Sequence, residues 1–136
     1  MSGTDSFFDT SVLLYLLSSD SHRADRVEAL LAESGTISVQ VLNEFTAVAS
    51  RKYKIPLAEI REVLETVRDI CLTESLTVED HDRACEIMER YKFSFYDSVI
   101  VASALHAGCK ILYSEDLQHG QLIDKQLRVT NPFEGS

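Results

Sequence analysis

The feature that most limits the fold of this chain is an alternation. Short apolar runs recur, separated by longer stretches with helical periodicity. The short runs are Ser6-Phe7-Phe8, Thr36-Ile37-Ser38, Lys110 to Tyr113 and Leu127 to Thr130, with Leu72 to Leu76 as an edge candidate. Helices are predicted over Val12 to Leu17, Ser21 to Glu33, Val39 to Tyr53, Pro56 to about Cys71, Thr77 to Tyr91 and Ser94 to Ala107. The fourth carries a clear stripe of Leu57, Ile60, Val63, Leu64 and Val67, which reads as core in preference to a dimer face. Strands alternating with helices define an α/β architecture with a mainly parallel sheet. In such sheets the ligand cleft lies beyond the carboxyl ends of the strands, near the point where strand order reverses.

Local signals set the expected ends. Thr10 or Ser11 caps the first helix, Gly35 stops the second, and Ser38 caps the third. Pro56 suits a first turn, and Thr77 followed by Asp80 has capping-box spacing. Gly108 closes the last helix.

At 136 residues, a single domain over 1–136 is expected, large enough to bury a core without disulfide or metal staples. The 13 Lys+Arg against 22 Asp+Glu leave a net charge of -9. That excludes holding nucleic acid by charge alone, but not local basic patches or a bound cation that reverses the sign of one cleft. No apolar run approaches the roughly 18 residues of a membrane span. Met1 to Phe8 lacks the basic start and apolar stretch of a signal peptide. Cys71, Cys85 and Cys109, odd in number and all in apolar segments, read as core thiols of a reducing cytoplasm.

Most acids read as solvated faces. Glu59, Glu62, Glu65 and Asp69 share their helix with Arg61 and Arg68, and Asp80, Asp82, Glu86 and Glu89 are read the same way. Four do not fit. Asp9 follows Phe7-Phe8, and Asp116 follows Ile111 to Glu115, each just past a strand. Glu44 has Gln40, Val41, Ala47 and Val48 at helical spacing, and Asp97 has Phe93, Ser94, Ile100 and Val101. Backbone caps offer Asp9, Asp97 and Asp116 an ordinary role, Asp116 ahead of a short helix from Leu117. Glu44, two turns inside its helix, has no such role. Two carboxylates about 4 Å apart repel by roughly 4 kcal/mol at an effective dielectric of 20. Four together call for protons or cations, and all-oxygen ligation suits Mg²⁺ or Mn²⁺.

These residues resemble the PIN-domain nuclease family. The matching segments are Phe7-Phe8-Asp9-Thr10-Ser11-Val12-Leu13, Leu42-Asn43-Glu44-Phe45, Tyr96-Asp97-Ser98-Val99-Ile100-Val101-Ala102 and Ser114-Glu115-Asp116-Leu117, in order along nearly the whole chain. The resemblance implies a three-layer α/β/α sandwich and divalent-metal-dependent ribonuclease activity. It carries the catalytic and metal-binding roles onto Asp9, Glu44, Asp97 and Asp116, and a supporting hydroxyl onto Ser114, with Thr10 beside it. Ser11 stands where Asn is common in the family, and Glu115 adds a fifth acid. The compact size looks most like the toxin ribonucleases of VapBC toxin–antitoxin pairs, which implies a homodimer and a small antitoxin partner. RNA contact is expected from Arg51, Lys52 and Lys54, the densest basic patch, with Tyr53 between them.

Other chemistries find little support. His106 and Cys109 are three apart, without the second pair a zinc site needs. No Walker or dinucleotide glycine motif is present. A haloacid-dehalogenase-type phosphatase expects a second Asp where Ser11 stands. A receiver domain is the better rival outside nucleases, but it expects an acidic pair at the first strand. An inactive PIN-like binding module is the remaining alternative.

Overall fold

The computed structural model describes residues 5–134. Six short strands form one sheet: β1 (Ser6–Phe8), β2 (Thr36–Ser38), β3 (Leu72–Glu74), β4 (Ile111–Tyr113), β5 (Leu122–Ile123) and β6 (Leu127–Thr130). Their order is β3-β2-β1-β4-β6-β5. All neighbours run parallel except β5 and β6. Strand order reverses beside β1, which pairs with β2 on one side and β4 on the other. That places the switch point, where α/β sheets open a cleft, at the carboxyl ends of β1 and β4.

Helices α1 (Thr10–Leu13), α2 (Ser21–Leu31), α3 (Val39–Arg51), α4 (Leu57–Ile70), α5 (Val78–Tyr91) and α6 (Phe95–His106) connect the strands, with a 3-10 turn over Leu14–Leu17. Successive strand residues point to opposite faces. Phe7 and Phe8 are both fully buried, so both faces of β1 are covered, as a three-layer sandwich requires. Helix α6 is buried from Ser98 through Leu105, the signature of a helix packed on all sides. On α4, Ile60, Leu64 and Val67 are buried while Leu57 is 57% exposed, so the stripe belongs to the core except at its first residue.

Several boundaries differ from the sequence expectation for definite reasons. The first helix starts at Thr10 with Asp9 as its N-cap residue, not Thr10 or Ser11. Helix α2 stops at Leu31, and the chain turns at Ser34 with φ 68°. Gly35 therefore does not end the helix. It lies against the Phe8 ring, where a Cβ would collide. Strand β5 escaped the sequence reading because two residues carry no pattern; it exists through its antiparallel pairing with β6. The turn between them runs through Asp124 (φ 49°) and Lys125 (φ 59°). Asp124 is clasped there by Arg90 Nη1 at 2.6 Å and the Tyr91 hydroxyl at 3.0 Å.

No helix forms from Leu117, so Asp116 caps nothing. Asp80 is 4% exposed instead of solvated. It completes the capping box with Thr77 and accepts a 2.8 Å bond from His106 Nδ1. Cys71 and Cys109 are buried as expected, but Cys85 is exposed. Among the described residues no helix is long and apolar enough to cross a membrane.

Candidate active site

The expected acids come from separate elements. Asp9 follows β1, Glu44 is in the second turn of α3, Asp97 is in the first turn of α6, and Asp116 lies three residues past β4. The fold brings them within electrostatic range of one another. Asp97 and Asp116 both act on Asp9 and on Glu44, and Asp97 acts on Asp116.

Asp9 is the buried member, at 3% exposure. Although it occupies the N-cap position of α1, its side chain makes no capping bond. Its Oδ2 instead accepts two hydroxyl bonds, from Ser114 Oγ at 2.8 Å and Ser11 Oγ at 3.0 Å. Those hydroxyls in turn accept backbone N–H groups. Ser114 Oγ takes Asp116 N at 3.1 Å, and Ser11 Oγ takes Glu115 N at 3.1 Å. Two serines thus tie the carboxylate after β1 to the loop after β4, on either side of the switch point. Burial pushes the Asp9 carboxyl up to about 7; the Ser114 and Ser11 bonds oppose the rise, and the charges of Asp116 and Asp97 add to it.

Glu44 is half-buried and accepts a 2.8 Å bond from Gln40 Nε2, one turn back on α3. Burial raises its carboxyl above the usual range, with the Asp97 and Asp116 charges adding. Gln40 pulls the other way. So does the Thr10 hydroxyl, which stands near enough to favour the Glu44 anion yet is buried without a hydrogen bond of regular geometry. Asp116 is exposed, and desolvation, then Asp97 and Glu115, raise its carboxyl.

A cleft of about 740 Å³ opens beside this cluster. Thr10, Ser11, Glu44, Glu115 and Asp116 line one part, and Lys52, Tyr53 and Ile55 another. Asp9 and Asp97 are not on its wall. Of the three basic residues expected to meet substrate, Lys52 lines the cleft, whereas Arg51 and Lys54 are exposed outside it.

Sequence reasoning marked Ser11 and Glu115 without giving either a role in this site, and it passed over Gln40 and Tyr15. Gln40 was legible from its four-residue spacing to Glu44. Tyr15 and Glu115 were not, because a hundred residues separate them. The Tyr15 hydroxyl donates to Glu115 Oε1 at 2.8 Å, and burial with that contact pushes the phenol up to about 12.

The donor set fits an oxygen-loving divalent cation in type: carboxylates with hydroxyl support, and no His or Cys among them. The acids converge without closing into a shell. Among the described residues no three His, Cys, Asp or Glu side chains stand close enough to hold a metal ion as they are placed.

Comparison with known proteins agrees with the fold and with the family resemblance. The family model described as PIN domain matches residues 6–123. The chain belongs to the PIN domain family. Three solved structures share its fold. The sarcin–ricin-loop-cleaving toxin VapC20 of Mycobacterium tuberculosis aligns with TM-score 0.68 and 21% identity, over 82% of this chain and 89% of that one. A toxin–antitoxin complex from Klebsiella pneumoniae gives 0.71 and 20%, over 95% and 98%. VapBC2 of Rickettsia felis, bound to a DNA fragment from its promoter, gives 0.66 and 17%, over 91% and 96%. Among curated proteins, condensin complex subunit 3 of Xenopus laevis is 35% identical over 81 residues. That match covers 60% of this chain, which spans only 8% of the condensin subunit's length.

Proposed function

We propose that this chain is a divalent-metal-dependent ribonuclease that hydrolyses RNA phosphodiester bonds, and that it acts as the toxin of a toxin–antitoxin pair. One observation carries the reading. Four carboxylates from four separate segments are linked by charge interactions that run through Asp97 and Asp116, and the most buried of them is oriented by two hydroxyls instead of being used as a cap.

Asp9, Glu44, Asp97 and Asp116 would hold one or two Mg²⁺ or Mn²⁺ ions. When bound, such ions acidify water and stabilise charge growing on a phosphodiester. The chain's own groups set the rest. Ser114 and Ser11 fix the direction of the Asp9 carboxylate, and Gln40 fixes Glu44, as supporting hydrogen bonds do for ligands elsewhere. Thr10 offers a further hydroxyl beside Glu44. Water adds to phosphorus and the P–O3′ bond breaks, leaving a 5′-phosphate and a protonated 3′-hydroxyl. Lys52 supplies a cation for the RNA backbone, with Arg51 and Lys54 at longer range.

The partners proposed are RNA, a small antitoxin protein and a second copy of the chain, in the cytoplasm. The toxin–antitoxin complexes among the structural neighbours support the antitoxin. The test is cleavage of end-labelled mixed RNA by the purified chain with Mn²⁺ or Mg²⁺ and with EDTA, beside Asp97→Asn. Cleavage that needs the ion and is lost in the variant is the expected result. Full activity in excess EDTA would overturn the scheme.

A further inference from the structure

The acids account for the proposed cleavage but not for how a protein with a net charge of -9 grips RNA. The part of the cleft farther along α3 bears on this. Of the residues lining it, Lys52 is the sole cation, and Tyr53 is an aromatic with half its surface open. The Lys52 ammonium sits 5.5 Å from the Tyr53 ring centroid, over its face. The other aromatic of the cleft, Tyr15, is committed. Its ring packs edge-on against Phe133 at 5.0 Å, Arg23 lies over it at 5.6 Å, and its hydroxyl holds Glu115.

Position adds the scale. Lys52 is eight residues beyond Glu44, roughly 12 Å along the helix axis. The Lys52 backbone therefore stands more than one phosphodiester link from that of Glu44, at the same cleft. The fold leaves a half-exposed aromatic ring beside a positive charge, in the wall of the same cleft that Glu44 and Asp116 line. That pairing of stacking surface and cation is how single-stranded nucleic acid is held, because every base has a π-face while the phosphates take the cation. A duplex keeps its bases stacked on one another and cannot offer one to the ring.

We propose that Tyr53 and Lys52 form a base-stacking subsite, in which the Tyr53 ring takes one unpaired base of the bound RNA and Lys52 its phosphate, away from the scissile bond. The subsite rests on the ribonuclease reading for its role but not for its existence. RNA binding to it does not require that the acids cleave.

The experiment separates the two. Binding of a fluorescent single-stranded oligoribonucleotide of mixed sequence is measured by anisotropy in Ca²⁺, with its length checked afterwards, for wild type, Tyr53→Ala, Tyr53→Trp and Lys52→Ala. Cleavage in Mn²⁺ is measured in parallel as kcat and KM. Circular dichroism and thermal melting confirm that each variant folds. Tyr53→Ala is expected to weaken binding by about 5- to 150-fold. Tyr53→Trp retains it, and Lys52→Ala lowers the slope of log affinity against log salt by about one. In cleavage the Tyr53→Ala loss falls on KM, with kcat kept. A fully paired duplex competes poorly with the single strand.

Wild-type binding that Tyr53→Ala abolishes, with no cleavage by either, would uphold the subsite and sink the ribonuclease reading. Cleavage with KM unchanged in folded Tyr53→Ala would sink the subsite and leave the nuclease standing. Duplex competing as well as single strand would also overturn the subsite, as would a wild-type chain that binds no RNA.

Discussion

Replacing Asp9 with Asn should destroy metal binding and, in the metal-free protein, raise stability. The Asp9 carboxyl is held near 7 in the folded chain, against 3.8 as its ordinary value. A group whose folded value is raised gives stability that is fully present below the ordinary value and is lost as pH climbs through the folded one. Above pH 7 the folded protein therefore carries a penalty of about 4 kcal/mol for keeping a buried anion there, at about 1.4 kcal/mol per unit. An amide has the same shape and no charge. Its oxygen can accept the Ser114 and Ser11 hydroxyls that now reach Oδ2. Part of the gain is offset by burying the NH₂ group. The net expectation is about 2–4 kcal/mol of added stability at pH 8, less than half of that at pH 5, and none below pH 3.8. A chain of this length should show it as a midpoint higher by roughly 7–14 °C at pH 8. The assay is thermal unfolding in EDTA for both proteins from pH 4 to pH 8. A variant no more stable at pH 8, or an advantage that shrinks as pH rises, would refute the claim that Asp9 is a strained anion kept for a ligand.

Further outcomes follow from the same contacts. Ser114→Ala removes the strongest donor to Asp9, a charge-assisted bond of about 1.5–3 kcal/mol. The acidic limb of Mn²⁺ binding against pH should move up by about one to two units, read by titration calorimetry; an unchanged limb would argue that Ser114 only packs. Gln40→Ala frees Glu44, so Mn²⁺ binding should weaken severalfold while the melting midpoint stays nearly constant. Gly35→Ala drives a methyl into the buried Phe8 ring and should cost about 1–3 kcal/mol in urea unfolding, far from any effect on the acids.

The fold was legible where physics acts locally. Pairs such as Phe7-Phe8, the Thr77–Asp80 box and the apolar run Val99 to Ala102 of α6 declare their elements within a few residues. The acids Asp9, Glu44, Asp97 and Asp116 stood out because the sequence puts each of them beside an apolar stripe or just past a strand. Features made by distant partners were not legible. Asp80 looked like one more solvated acid until His106, 26 residues away, reached it. Strand β5 depends on a turn clasped by Arg90 and Tyr91 on another element. The two serine relays likewise need β1 and β4 side by side, which pairing supplies and local pattern does not. Glu115 could be counted in the sequence, but only the fold shows that Tyr15 holds it.

The central claim, that metal-loaded carboxylates drive hydrolysis, is tested most directly by the chemistry of the cut ends. RNA cleaved by the purified chain in Mn²⁺ should carry 5′-phosphates and 3′-hydroxyls, and both products should vanish in EDTA and in Asp97→Asn. Ends bearing 2′,3′-cyclic phosphate, formed equally well in EDTA, would show that the RNA's own 2′-hydroxyl attacks and that the four acids do not perform the reaction proposed for them.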